Sequence, residues 1–250
     1  YSVYSIAAVI VLLLGGVIID KIGTAKSTIL FAGICTFAGI LNAVSSDFTV
    51  MLIARFLLGL GSEPMIVAIT TALAKWFKGK ELSFAFGLNL TIARLGSVGA
   101  DWSPTWASFA YDGWQGPLVV AAVIGLLVLG AALAYGALER IAAQRYALGQ
   151  AGETDKLVLS DLFRFSRSFW YVVLLCVTFY SAIFPFRSFS IKFFMESWEL
   201  TRQTAGQYNS VLPFAAMFAT PLFGLLVDKL GKRALFMAVG SFLLMPVYLM

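Results

Sequence analysis

The 250-residue sequence has no histidine, two cysteines and only 12% charged residues. The first absence excludes a histidine proton switch, a histidine-ligated metal centre and any histidine-dependent nucleophilic triad. Cys35 and Cys176 cannot build a disulfide framework, and each lies in an apolar run where a buried cysteine serves as a small packing residue. No glycine-rich phosphate loop is present, so ATP-driven chemistry has no support. No nucleophile–base pair or metal-ligand cluster is visible, which argues against an enzyme and implies no cofactor. The scarcity of charge excludes an ordinary soluble domain.

Apolar length is what the chain has instead. It is 60% hydrophobic with a mean hydropathy of +0.88. A membrane helix needs ~20 residues at ~1.5 Å each to cross ~30 Å of hydrocarbon. Runs of that order occur at 1–20, 27–46, 51–76, 82–107, 117–138, 169–187, 206–227 and 234–250. The expected fold is therefore all-α and polytopic, with eight spans embedded in a lipid bilayer. Both ends of the sequence fall inside apolar runs, the pattern expected of a piece of a longer chain. The net charge of +5 would suggest nucleic acid in a soluble protein. Here it reads as topology, because alternate loops carry most of the lysines and arginines and are assigned to the cytoplasm. No nucleic-acid partner is expected.

Composition shifts once. Residues 139–167 carry Arg140, Arg145, Glu153, Asp155, Lys156, Asp161 and Arg164, too polar to cross a bilayer. The stretch is read as a cytoplasmic linker between a first half, 1–138, with five spans and a second, 168–250, with three. Its end, 157–165, mixes apolar and charged residues as a surface amphipathic helix does.

An internal repeat supports two halves. Gly16-Val-Ile-Ile-Asp20-Lys21-Ile-Gly23 and Gly224-Leu-Leu-Val-Asp228-Lys229-Leu-Gly231 share one pattern at the cytoplasmic end of a span. Gly16 and Gly224 would permit close helix approach, and Gly23 and Gly231 suit a left-handed C-cap. Lys21 and Lys229 complement the negative helix end, whereas Asp20 and Asp228 oppose it. Each Asp is therefore expected to find a partner elsewhere, at a helix N-terminus in the opposite half. Asp20, Lys21, Gly23, Asp228, Lys229 and Gly231 are candidate conformational elements.

The strongest candidates for function are Glu63 and Arg94, each near the middle of a span. Inserting such a charge costs ~2.5–3.5 kcal/mol on the translocon scale, so neither should face lipid. They either pair with each other and lock two helices or mark a functional site, and the two readings can coexist. Arg94 can grip a carboxylate through two parallel N–H donors. Arg55, two turns nearer the outside than Glu63, suits packing or gating, and Asp101 suits a helix interface. Tyr180, Phe184 and Asn209 are candidate cavity residues of the second half.

The repeated loop resembles the G-x-x-x-D-[RK]-x-G signature of the major facilitator superfamily, which occurs once in each six-helix half. The resemblance implies the family's two-half fold of twelve helices, with this sequence covering the second to the ninth. Arg55-Phe56, Gly59, Gly61, Glu63, the run Trp76-Phe77-Lys78-Gly79-Lys80-Glu81 and Ala93-Arg94-Leu95-Gly96-Ser97 resemble the family's dipeptide-transporting branch. That likeness implies a secondary transporter working by alternating access, with Glu63 on the peptide amine and Arg94 on its carboxylate. It also implies an accessory membrane subunit, although the transporter itself is expected to act as a monomer. The antiporter glycine-proline motif is missing between Glu81 and Ala107, which favours a uniporter or symporter. The rival expectations are a carrier for another organic anion or amino acid, and a non-transporting sensor or scaffold. Short external loops without an accessible glycosylation acceptor favour a cell membrane over a lysosomal one.

Overall fold

The computed structural model describes residues 2–77, 80–145, 165–231 and 233–249, and those residues form helices and short connections without strands. Helices α1 (Ser2–Ile22), α2 (Thr24–Val44), α3 (Phe48–Trp76), α4 (Lys80–Asp101) and α5 (Ser103–Trp106) come first. After a single 3-10 turn follow α6 (Gly116–Arg145), α7 (Arg167–Ser197), α8 (Arg202–Leu230) and α9 (Arg233–Leu249). The eight long helices, of 17 to 31 residues, lie where eight spans are expected. Among the described residues, five are individually long and apolar enough to cross a bilayer, and α1 joins them if its two arms, bent by 51°, count as one span. In α4 the apolar run is diluted by Glu81, Asn89, Thr91, Arg94 and Asp101.

Helix ends differ from expectation where a polar residue finds partners. Glu139 through Arg145, assigned to the linker, continue α6, and α7 runs past Arg187 to Ser197. The remainder of the linker, 146–164, and most of the expected amphipathic stretch 157–165 lie outside the described residues. The turn at Ser45-Ser46-Asp47 caps α3, the Asp47 side chain accepting from the Thr49 and Val50 amides at 2.8 and 3.0 Å.

The packing is inverted relative to a soluble protein. Ala32, Ala38, Ala54 and Ala68 are at most 1% exposed, whereas Leu127 and Phe242 are about two-thirds exposed or more, at 70% and 68%. Small residues bring helix backbones together, and large apolar side chains face the hydrocarbon that replaces water. Cys176, expected buried, is exposed on α7 for the same reason; Cys35 is half-buried.

Two compact units result: 1–86 with 107–156, and 87–106 with 157–250. In the first, α2 packs on α3 and α6, and α1 on α3. Thr36 of α2 donates across to the Gly125 carbonyl of α6 at 2.8 Å. In the second, α7 packs on α8, and α5 also meets α8.

Candidate functional site

The first unit holds Glu63 in the middle of α3, where the helix has little bulk of its own. Gly59 lies so close to α1 that an added Cβ would stand 2.5 Å from the Tyr4 carbonyl oxygen and 3.0 Å from the Ala7 Cβ. A Cβ on Gly61 would come within 2.7 Å of the Cys35 Sγ of α2. Pro64 is fully buried, with Gly15 of α1 against it. Two neighbouring helices are thus pressed against the turn that carries Glu63.

The Glu63 carboxylate accepts a 2.8 Å hydrogen bond from the Tyr4 phenol, which also meets the Ser62 hydroxyl at 2.7 Å. Among the described residues of this unit no cation pairs with Glu63. Arg55 is half-buried on the same helix and forms no ion pair among them.

A second carboxylate, Glu139, is neutralised. It is 8% exposed, takes the Lys75 ammonium at 2.6 Å and accepts twice from the Thr24 hydroxyl at 3.1 Å. The neighbouring Trp76 indole donates to the Tyr135 hydroxyl at 3.3 Å. Glu139 stands in the stretch assigned to the linker. Instead it joins Lys75 and Thr24 where the adjacent ends of α2, α3 and α6 meet, and the visible signal was an acid directly following an apolar run.

The second unit holds Arg94, exposed on α4, with no carboxylate in ion-pair distance among the described residues of the unit. Tyr180 and Phe184 lie exposed on α7, their rings stacked 5.2 Å apart and 21° from parallel. Asn209 does not line open space. It is 5% exposed, accepts from Ser190 at 2.6 Å and donates to Asp101 at 2.8 Å. The Arg187 guanidinium donates to the other Asp101 oxygen at 3.1 Å. The Trp102 indole adds a 2.7 Å bond to Ser210. Asp101 is thereby an interface residue fixing the end of α4 to α7 and α8.

The repeated loops keep part of their expected geometry. Gly23 and Gly231 both have positive φ, 83° and 67°. Gly23 combines it with a ψ of 164°, a region only glycine enters at low cost, so one residue ends α1 and starts α2. Gly16 and Gly224 make no close helix approach, for an added Cβ would meet nothing within 4 Å at either. Gly15, Gly59 and Gly61 take that role. Asp20, Lys21 and Lys229 are exposed, and Asp20 has no partner among the described residues. The Asp228 side chain lies outside the described part.

Comparison with known proteins agrees with this architecture. The sequence profile described as Major Facilitator Superfamily matches residues 1–250. The lysosomal dipeptide transporter MFSD1 of Danio rerio is 35% identical over 259 residues, covering 96% of this chain and 55% of the relative. Its Homo sapiens counterpart is 34% identical over 249 residues, 93% of this chain and 53% of the relative. A protein named probable sulfoacetate transporter SauU, from Cupriavidus necator, is 32% identical over 124 residues, 49% of this chain and 28% of the relative. The chain thus spans about half the length of the MFSD1 relatives it matches.

Proposed function

The chain belongs to the major facilitator superfamily, and from that premise we propose that it is part of a dipeptide carrier working by alternating access and is not an enzyme. Glu63 takes the peptide's amine and Arg94 its carboxylate. The observation that carries this reading is the bare charge of Glu63. A carboxylate midway along a membrane helix calls for a cation, and among the described residues of the unit its partners are hydroxyls. Glu139 is the internal contrast, since the same fold gives that acid a lysine at 2.6 Å. A substrate ammonium would do for Glu63 what Lys75 does for Glu139.

The names of the MFSD1 relatives support a dipeptide substrate and a lysosomal membrane. The preference for a cell membrane drawn from loop length finds no support in them. Tyr180 and Phe184 offer exposed aromatic surface to the substrate's side chains, whereas Asn209 serves the fold. Transport by the monomer, without a coupling ion and beside an accessory subunit, completes the proposal.

The SauU relative favours a second reading, a carrier of organic anions built on Arg94 alone. Competition binding separates the two. Losing one charged hydrogen-bonded contact costs ~1.5–3 kcal/mol, or roughly 10- to 150-fold in affinity. N-acetylated dipeptides and dipeptide amides should each bind that much more weakly than the free peptide. If acetylated and free peptides compete equally, Glu63 is not the amine site and the anion reading takes its place.

A further inference from the structure

Glu63 is not held by its own helix alone. Its Oε1 lies 2.8 Å from the Tyr4 hydroxyl of α1, and that hydroxyl lies 2.7 Å from the Ser62 Oγ. The Tyr4 hydroxyl donates to Glu63 Oε1, so the phenol's single proton is spent there. The phenol oxygen must then accept from Ser62. The chain of donors has one direction: Ser62 to Tyr4 to Glu63.

The support beneath this chain is closely packed. Gly59 brings the α3 backbone against the Tyr4 carbonyl, and Gly15 of α1 lies against the buried Pro64. These contacts lie on either side of Glu63 along α3. They fix the distance between the two backbones, so the phenol reaches Glu63 without choosing among many rotamers. Oε1 is occupied by a neutral donor that cannot compete for a cation, and Oε2 is left for one.

Resting on the reading of Glu63 as the amine site, we propose that Tyr4 is its positioning residue, orienting the carboxylate so that one oxygen receives the substrate's ammonium group. Tyr4 acts through Glu63 and selects for a free amino terminus; it need not touch the substrate. A phenol serves better than a cation here, because a cation would satisfy the carboxylate and cancel its use.

The experiment is competition binding on the purified full-length protein, with a free dipeptide and its N-acetyl derivative as probes. Tyr4→Phe keeps the ring and removes the donor. It should weaken the free dipeptide about 3- to 30-fold, less than direct loss of a charged contact because Tyr4 acts through Glu63, and leave the N-acetyl derivative unchanged. Ser62→Ala, which keeps the phenol in place, should move the free dipeptide in the same direction by less. It reports on the same chain even if Tyr4→Phe lowers the yield of folded protein. In a Glu63→Gln background, Tyr4→Phe should cost about twofold or less, because the two residues act as one unit. Equal weakening of both probes would reduce Tyr4 to a packing residue, and no weakening of either would remove its role; both outcomes overturn the proposal and leave the amine site standing. If the wild type itself does not distinguish the probes, the amine-site reading is wrong and the role of Tyr4 falls with it.

Discussion

Arg94 stands exposed on α4, and among the described residues of its unit no carboxylate pairs with its guanidinium. Its grip on a substrate carboxylate would come from its own fork of donors. A lysine keeps the charge but offers a point contact in place of two parallel bonds. Arg94→Lys should therefore weaken uptake about 10-fold or more while folded yield and melting temperature stay as in wild type. Normal uptake by the Lys variant in proteoliposomes would remove Arg94 from the site. Both charges were legible in the sequence, because an ionisable residue in mid-span is expensive and stands out. Tyr4 was not, since a tyrosine near a helix end is ordinary and its partners are 58 and 59 residues away. Glu139 was misread for a related reason. Its compensation comes from Lys75 and Thr24, 64 and 115 residues distant on two other helices.

At the scale of elements, the α1–α3 contact and the end of α4 make opposite demands. The first needs the absence of a side chain. Gly59→Ala must push the Tyr4 backbone away, and overpacking of this kind costs ~1–3 kcal/mol. The control is Gly16→Ala on α1, where an added Cβ meets nothing within 4 Å and the melting temperature should hold. Since α1 carries Tyr4, the Gly59 variant should also lose discrimination between free and acetylated peptides. The end of α4 needs a full set of polar partners instead. Asp101→Ala leaves Arg187 and Asn209 without their acceptor, in a setting where the Arg187 and Asp101 side chains are 22% and 11% exposed. The cost should be ~1–3 kcal/mol, and Asp101→Ala with Arg187→Ala should cost less than the sum of the singles. Additive losses in a thermal-shift cycle would mean the ion pair contributes nothing of its own. The sequence suggested that Asp101 sits at an interface. It could not show that Asn209, taken for a cavity residue, is consumed by the same cluster.

For the molecule as a whole, the apolar runs made the fold class and the positions of the long helices readable. Their ends were less so, because a helix continues wherever tertiary partners satisfy its polar residues, as Glu139 and Arg187 show. The repeated loops were readable for a different reason: a glycine with positive φ, as at Gly23 and Gly231, leaves the same letter in both halves. The aspartates of that repeat carry the last prediction. Asp20 lies at the C-terminal end of α1, where the helix dipole disfavours an anion, and it has no partner among the described residues. Asp228 occupies the matching place in α8. A residue placed at such a cost in both copies of the repeat should gain its partner in only one of the two access states, and so bias the equilibrium between them. A charge–dipole contact of ~0.3–1 kcal/mol corresponds to a roughly two- to fivefold change in that equilibrium. Asp20→Asn and Asp228→Asn should each shift the balance by about that factor, with the affinity for substrate in either state unchanged. The shift can be read from the labelling rates of single cysteines introduced at the two mouths of the transport path, in the absence of substrate. Equal rates in wild type and both variants would make the aspartates simple helix stops, and the bias would then have to be sought elsewhere in the loops.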